Sequence, residues 1–335
     1  MSNIRMVAEL AGVSVATVSR ALQKPDLVSS KTRGKVLAAV KQAGYKPNLM
    51  AVQFRSRKSR NLVVLVPTVA NLFFARVISG MQEAARKKNY SILLCNTLGN
   101  PELEESYARM VRNFQADGLI QLRAHNPFSA EDFDVDVTPP MVNACEVLDD
   151  AICPTVSLDN RGAARAMTEH LVRLGHRRIG MIKGPQRSPL TRDRLAGYRD
   201  ALKTAAIAFD EHLLCPGDFT LQSGRKAAGT LINRDDPPTA IFCENDEMAI
   251  GAIQRIKQGG LRVPEDISVT GFDDIAFASF SDPPLTTIAQ PAEEFGSTAV
   301  SLLIDLLEGR IKKMPHVTLP YELVVRSSTG AAPLS

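Results

Sequence analysis

The chain of 335 residues predicts an α/β protein: an N-terminal all-α helix-turn-helix headpiece followed by a two-lobed, doubly wound core. Three observations carry this reading. Basic residues crowd the first sixty positions, and apolar residues there recur at helical spacing. From residue 61 onward, short apolar runs alternate with longer amphipathic stretches.

Charge divides the chain before any motif does. Residues 1–60 hold twelve Lys and Arg against Glu9 and Asp26, a surplus of ten. The remainder holds 28 basic and 34 acidic residues, a deficit of six, so the net +4 conceals two opposite regions. A cationic end on a mildly acidic body points to a polyanion bound at that end, with a solvated basic surface as the alternative. The run Leu62 to Val66 is far short of the ~20 apolar residues of a membrane span. Met1 to Glu9 lack the apolar stretch of a secretory signal, so a cytoplasmic location without membrane contact is expected. Cys95, Cys145, Cys153, Cys215 and Cys243 form no C-x-x-C pair. They read as small buried hydrophobes in a reducing compartment, with no metal or cofactor expected.

Within the basic region a first helix runs from Met6 to Ala11, with Val7, Ala8 and Ala11 on one side, and Gly12 supplies the turn. Ser14 is placed to cap a second helix, Val15 to Gln23, in which Val18 and Leu22 face inward. Val15, Ala16, Thr17, Ser19 and Arg20 remain on or near the outer side. A third helix, capped near Ser29 or Ser30, runs from Lys31 to Ala43 with Val36, Leu37 and Val40 inward, and stops at Gly44. Three short helices with a tight turn between the first two make a helix-turn-helix, whose second helix enters the DNA major groove. Arg20 can pair bidentately with guanine, while Val15 and Ala16 offer only apolar contact, as to thymine methyls. Ser14, Thr17 and Ser19 carry hydroxyls suited to phosphates or, equally, to helix packing.

The string Val7-Ala8-x-x-Ala11-Gly12-Val13-Ser14-x-x-Thr17-Val18-Ser19-Arg20-x-Leu22, followed by Gly44-Tyr45-x-Pro47, resembles the headpiece of the LacI/GalR family of bacterial transcription regulators. The resemblance implies a headpiece over 1–47 that reads base edges with Val15, Ala16 and Arg20. It also implies a hinge over 48–60, including Asn48, Phe54 and Arg55, that meets the minor groove. The family has leucine where this chain has Phe54. A phenyl ring can also wedge a base step, or it can pack on the body instead.

The remainder, 61–335, reads as two strand-helix series. Strands are expected at Leu62 to Val66, Ser91 to Cys95, Gly118 to Leu122, Met141 to Asn143 and Thr155 to Leu158, with helices at Phe73 to Lys88 and Glu102 to Gln115. The second series has strands at Arg178 to Ile182, Thr239 to Cys243 and Ile267 to Gly271. Its helices are Ala163 to Leu174, Arg192 to Ala205, Leu221 to Ile232 and Asn245 to Lys257. Alternation of this kind implies mainly parallel sheets, and two series imply two lobes, about 61–160 with 291–318 and about 161–290 with 319–335.

In open α/β sheets, ligands sit beyond the carboxyl ends of strands. Candidates there are Phe73 and Phe74, Ser188, Leu190, Arg194, Phe219, Asn245, Asp273 and Gln290, a set of rings and polar groups suited to a small polar metabolite. Arg194 and Asp273 could instead be a lobe-bracing ion pair, and one of the two phenylalanines belongs to the core. His176 reads as a helix-end cation without chemistry. With no nucleophile or metal constellation beside Asp273-Asp274, no catalytic residue is assigned and an enzyme is not expected.

The resemblance extends through this body, in Leu174-Gly175-His176-Arg177-Arg178-Ile179-Gly180, Arg194-Leu195-x-Gly197-Tyr198, Gly271-Phe272-Asp273-Asp274 and Pro284-Leu285-Thr286-Thr287-Ile288, to the family's periplasmic-binding-protein-like core. Gly184-Pro185-x-x-x-Pro189-Leu190, Gly217-Asp218-Phe219-Thr220 and Asp282-Pro283-Pro284 look most like its cytidine-repressor subgroup. The implied partners are operator double-stranded DNA, a second copy in a homodimer, and a nucleoside or sugar-like effector.

Overall fold

The computed structural model describes residues 3–23, 25–45, 58–128, 139–149, 153–311 and 313–333. The chain divides into two compact units, Met1–Ser59 and Arg60–Ser335.

The first unit is built from α1 (Ile4–Ala11), α2 (Val15–Gln23) and α3 (Ser30–Ala43). Asn3 caps α1 by accepting the Met6 N–H at 3.0 Å. The helix ends at Gly12, whose φ of 65° is a conformation that side-chain-bearing residues avoid. The Ser29 side chain caps α3 and Gly44 closes it. Val7, Ala8, Ala11, Val18, Ala21, Val36 and Ala39 form the core. Such small side chains let three short helices approach closely, at the cost of a core with little apolar area. One expectation fails: Leu37 is 48% exposed and Ala39 is buried in its place. The inward stripe of α3 runs through 36, 39, 40 and 43, so Val36 and Val40 face inward as expected and only Leu37 falls off the stripe.

The second unit holds two sheets. The first is six-stranded and parallel, in the order β11-β5-β4-β3-β1-β2. Its strands are β1 (Asn61–Val66), β2 (Ser91–Asn96), β3 (Gly118–Gln121), β4 (Met141–Ala144), β5 (Thr155–Leu158) and β11 (His316–Leu319). Alternate residues of β1 serve opposite faces. Leu62, Val64 and Val66 pack toward α4 (Leu72–Lys87) and α10 (Ala292–Leu307), while Val63 and Leu65 pack toward α5 (Pro101–Arg112).

The other sheet, in the order β7-β6-β8-β9, comprises β6 (Ile179–Lys183), β7 (Leu214–Pro216), β8 (Ala240–Cys243) and β9 (Ser268–Thr270), again parallel. It lies between the pair α6 (Asn160–Arg173) and α7 (Pro189–Thr204) and the pair α8 (Leu221–Ile232) and α9 (Asp246–Gln258). The chain crosses between the lobes after β5, after β10 (Thr287–Ala289), and between β11 and β12 (Glu322–Val324). The antiparallel β10–β12 ribbon ties two of these crossings together.

The strands and helices named from the sequence recur with ends shifted by a few residues. Elements β7, β10, α10, β11 and β12 are not among those expected from the sequence. The apolar run Leu302, Leu303, Ile304, Leu306, Leu307 obscures the stripe of α10, which is buried through Phe295, Ala299, Val300, Leu303 and Ile304. β11 is an edge strand with only Leu319 buried, so it carries no apolar run.

Candidate DNA-reading face and effector cleft

The turn between α1 and α2 sets the candidate DNA face. Ser14 Oγ accepts the Thr17 N–H at 3.1 Å and lies 2.9 Å from the Thr17 hydroxyl, so both hydroxyls serve the start of α2. With Val18 and Ala21 turned inward, Val15 is 39% exposed, Ala16 and Arg20 are exposed, and Thr17 and Ser19 are half-buried. Ala16 and Arg20 are four residues apart and therefore share a face one turn apart. Asn48, Phe54 and Arg55 lie outside the described residues.

In the body, the strand-end candidates fall into linked groups. Arg194 on α7 is 2% exposed, and its Nε donates to Asn160 Oδ1 at 3.0 Å. Its Nη1 donates to the Glu244 carbonyl, and its guanidinium lies 3.6 Å from the centroid of the Phe272 ring. Burial lowers its pKa, and the nearby carboxyls of Asp273 and Glu244 counter this only in part. Asp273 is not its ion-pair partner: Oδ1 of Asp273 accepts from Gln290 Nε2 at 2.6 Å. The lobe-bracing pair considered from the sequence is thus replaced by an Asp273–Gln290 hydrogen bond beside a separately anchored arginine. Burial pushes the Asp273 carboxyl up to about 7.

Asn245 caps α9 by accepting the Met248 N–H, and its Nδ2 donates to the Phe219 carbonyl at 2.9 Å. Phe219 has φ 68°, and its ring lies so close to Gly184 that a Cβ there would fall 2.2 Å from Phe219 Cζ; only glycine leaves room. Phe73 packs into the first lobe's core, edge-on to Phe295 at 6.0 Å, while Phe74 stays half-buried. Of the adjacent rings, Phe73 is therefore the core residue.

From the sequence, Ser188 and Leu190 fall in a loop before a helix starting at Arg192. The structure starts α7 at Pro189, a residue pre-set for the first helical position, with Ser188 as its cap. The Ser188 hydroxyl also donates to Glu146 Oε1 across the cleft at 2.5 Å. Further contacts cross it: Arg192 pairs with Asp149 at 2.7 Å, Asn71 donates to Glu247 at 3.2 Å, and Arg76 donates to the Asp274 carbonyl at 3.2 Å. Beside this bridge is a cavity of about 640 Å³ lined by Asn126, Leu148, Gln186, Ser188 and Arg192. A second, of about 610 Å³, is lined by Leu190, Asn160, Thr155, Ser157 and His316. Phe74, Phe219, Asn245 and Asp273 line neither.

Two residues differ from their sequence reading. His176 is not a helix-end cation: it is fully buried, bonded to Thr239, Ser268 and the Gly330 carbonyl, and burial lowers its pKa, so it sits neutral. Glu244, which immediately follows β8, is not among the strand-end residues expected from the sequence. It is fully buried, its Oε2 accepting from the Gly184 N–H and the Thr191 hydroxyl, each at 2.9 Å. All five cysteines are buried and none forms a disulfide.

The profile of "Bacterial regulatory proteins, lacI family" matches residues 3–48, and that of a "Periplasmic binding protein-like domain" matches 168–329. The chain is 40% identical over 332 residues to the HTH-type transcriptional repressor CytR of Escherichia coli (strain K12), covering 99% of this chain and 97% of that protein. It is 34% identical to the HTH-type transcriptional repressor PurR of Photobacterium profundum, with 98% of each covered. Among solved structures, the lac repressor dimer bound to operator and the anti-inducer ONPF matches with a TM-score of 0.86 and 32% identity, over 97% of this chain and 98% of that one. The CelR–cellobiose complex matches with a TM-score of 0.75 and 32% identity, over 98% and 100%. With relatives this similar over nearly its whole length, the chain belongs to the LacI family of bacterial regulatory proteins.

Proposed function

We propose that the protein is a homodimeric, operator-binding transcriptional repressor whose DNA affinity responds to a small polar effector bound between its two lobes. The observation that carries this is the uncovered face of α2, where Val15, Ala16 and Arg20 stand exposed on a helix whose start is held by Ser14 and Thr17. Arg20 reads guanine and Val15 and Ala16 read apolar base edges. Thr17 and Ser19 reach phosphates, as does Ser14 where its capping role leaves the hydroxyl available. Asn48, Phe54 and Arg55 meet the operator's centre. One headpiece reads a half-site, so the operator is a near-palindrome matched to a dimer. It works in the cytoplasm, beside the chromosome, and carries out no catalysis.

The effector contacts are Phe74, Arg194, Phe219, Asn245, Asp273 and Gln290, with Ser188 and Leu190 at the rim and Phe73 supporting Phe74 from the core. The Gly184-Pro185 and Gly217-Asp218-Phe219-Thr220 stretches favour a nucleoside. The bound cellobiose of the CelR complex keeps a sugar as the second reading. Coupling to DNA is no larger than the effector's differential affinity for the two lobe arrangements. The test is titration of the full-length protein onto operator-length duplexes, with and without cytidine, uridine, adenosine, ribose and cellobiose. The expected outcome is sequence preference altered by one effector class. Equal binding to target and random duplex at all salts would refute the repressor reading, and indifference to every small molecule the effector reading.

A further inference from the structure

Among the polar contacts that join the lobes, that of Arg76 is built unlike the rest. Ser188, Arg192 and Asn71 each meet a side chain of the other lobe. Arg76 on α4 meets a main-chain carbonyl instead: its Nη1 donates to Asp274 at 3.2 Å, while its Nε and Nη2 donate to the two oxygens of Glu293 at 2.9 and 2.8 Å. That fork fixes the guanidinium plane and leaves one donor aimed at lobe two. Its mounting is stiff. A Cβ at Gly80 would lie 2.1 Å from the Glu293 carbonyl oxygen, and one at Gly296 2.1 Å from that of Val77, so α4 and α10 touch through their main chains. The receiving side is a constrained turn, in which Asp273 and Asp274 have φ of 111° and 51°. The Asp274 carboxylate takes Arg326, just past β12, at 2.8 Å. Asp273 accepts from Gln290 and gives its N–H to the Ile288 carbonyl of β10. One two-residue turn therefore joins lobe one, the ribbon at the lobe crossings and a candidate effector contact.

We infer that Arg76 is a positioning residue for the coupling between effector and DNA, tying the angle between the lobes to the conformation of the Asp273–Asp274 turn. This rests on the effector-cleft reading above and adds the route by which a ligand held at Asp273 is felt by lobe one. Asp273 and Asp274 share a rigid peptide plane, so moving the first shifts the carbonyl of the second. Arg76, clamped by Glu293, then keeps its bond only if α4 and α10 follow, and they follow as one body. The Arg76 and Glu293 side chains are 39% and 53% exposed, so their pairing adds little to stability. Its loss is felt in coupling, which depends on the difference between two lobe arrangements, and not in unfolding.

The test compares full-length wild type with Arg76→Met, which keeps the stem and drops every donor, and Arg76→Lys, which keeps the charge but cannot form the fork. The probes are the duplex that wild type selects from a randomised pool, and cytidine, uridine, adenosine, ribose and cellobiose. Calorimetry reads ligand affinity, fluorescence anisotropy reads duplex affinity with and without ligand, and thermal melting reads the fold. Both variants should melt within about 2 °C of wild type. They should bind the active ligand within about threefold of wild type, while its effect on duplex affinity shrinks by about fivefold or more. Unchanged coupling in R76M overturns the inference and leaves the effector reading standing. So does full coupling in R76K, since charge without the fork would then suffice. A loss of ligand affinity that matches the loss of coupling overturns it too, because Arg76 would then be a ligand contact. If no compound alters duplex binding by wild type, the effector reading falls and the inference with it. Should R76M fold poorly, Glu293→Gln, which frees Arg76 from its clamp, carries the same comparison with the same expected loss of coupling.

Discussion

The DNA-reading face and the effector cleft solve opposite problems. On α2 the candidate side chains point away from a small core, and Arg20 is exposed. In the cleft the polar candidates are buried and bonded to neighbours: Arg194 to Asn160, Asp273 to Gln290, Asn245 to the Phe219 carbonyl. A surface reader can be altered one side chain at a time with the fold intact, because each side chain waits for an external partner. A buried polar cluster cannot, since each group satisfies another and removing one strands its neighbour.

The sharpest break of this contrast is Arg194→Ala. Removing a buried cation that holds Asn160 and the Glu244 carbonyl should destabilise the body by about 3–5 kcal/mol in chemical denaturation. A loss below about 1 kcal/mol would mean that the cluster is far more solvated than its burial implies.

Next in size is pH. Asp273 and Glu244 have pKa values raised to about 7 by burial, above their ordinary 3.8 and 4.5. Between those limits the folded state keeps protons that the unfolded chain has lost, so stability falls as pH rises from about 4.5 to about 7 and then levels. Each shift corresponds to up to roughly 3–4 kcal/mol. His170 and His176, with pKa values lowered by burial, act oppositely: their contribution is lost as pH falls below 6.5. Thermal unfolding should therefore show a body that loses stability from about pH 6.5, above which the two histidines no longer oppose the trend, to a plateau just above pH 7.

Arg20→Ala should cost about 1–3 kcal/mol of operator affinity with the thermal transition unchanged and random-duplex binding altered less, measured by fluorescence anisotropy. Ser14→Ala should remove about 1 kcal/mol from the headpiece, read as faster amide exchange at the start of α2. Leu37→Gln, on the exposed side of α3, should change stability by less than about 0.5 kcal/mol.

The unequal legibility of the two sites follows the same physics. Gly12, Ser14, Val18 and Arg20 lie within nine residues, and each acts through a cap, a turn or one helical period. Such effects are local and leave a mark in the string. Leu37 shows the limit, because choosing among neighbouring apolar residues for the inward stripe needs the partner helices. In the body, a helix expected from Arg192 leaves Ser188 and Leu190 in the loop, although Pro189 at the first helical position is a local signal. Glu244 was also within reach, one residue past a strand already identified. By contrast, the contacts of Asp273 with Gln290 and of Ser188 with Glu146 span 17 and 42 residues, and no periodicity records them.

Caps, turns and apolar periods act over a few residues, so the string of residues already specifies a cationic three-helix reader on an alternating α/β body. Long-range packing settles that Arg194 bonds Asn160 rather than Asp273, that Phe73 belongs to the core, and that one oxygen of Glu244 is left over. Those outcomes depend on which strand ends and helix starts meet. The low-dielectric interior then makes every buried polar group answer to whichever neighbour the fold delivers.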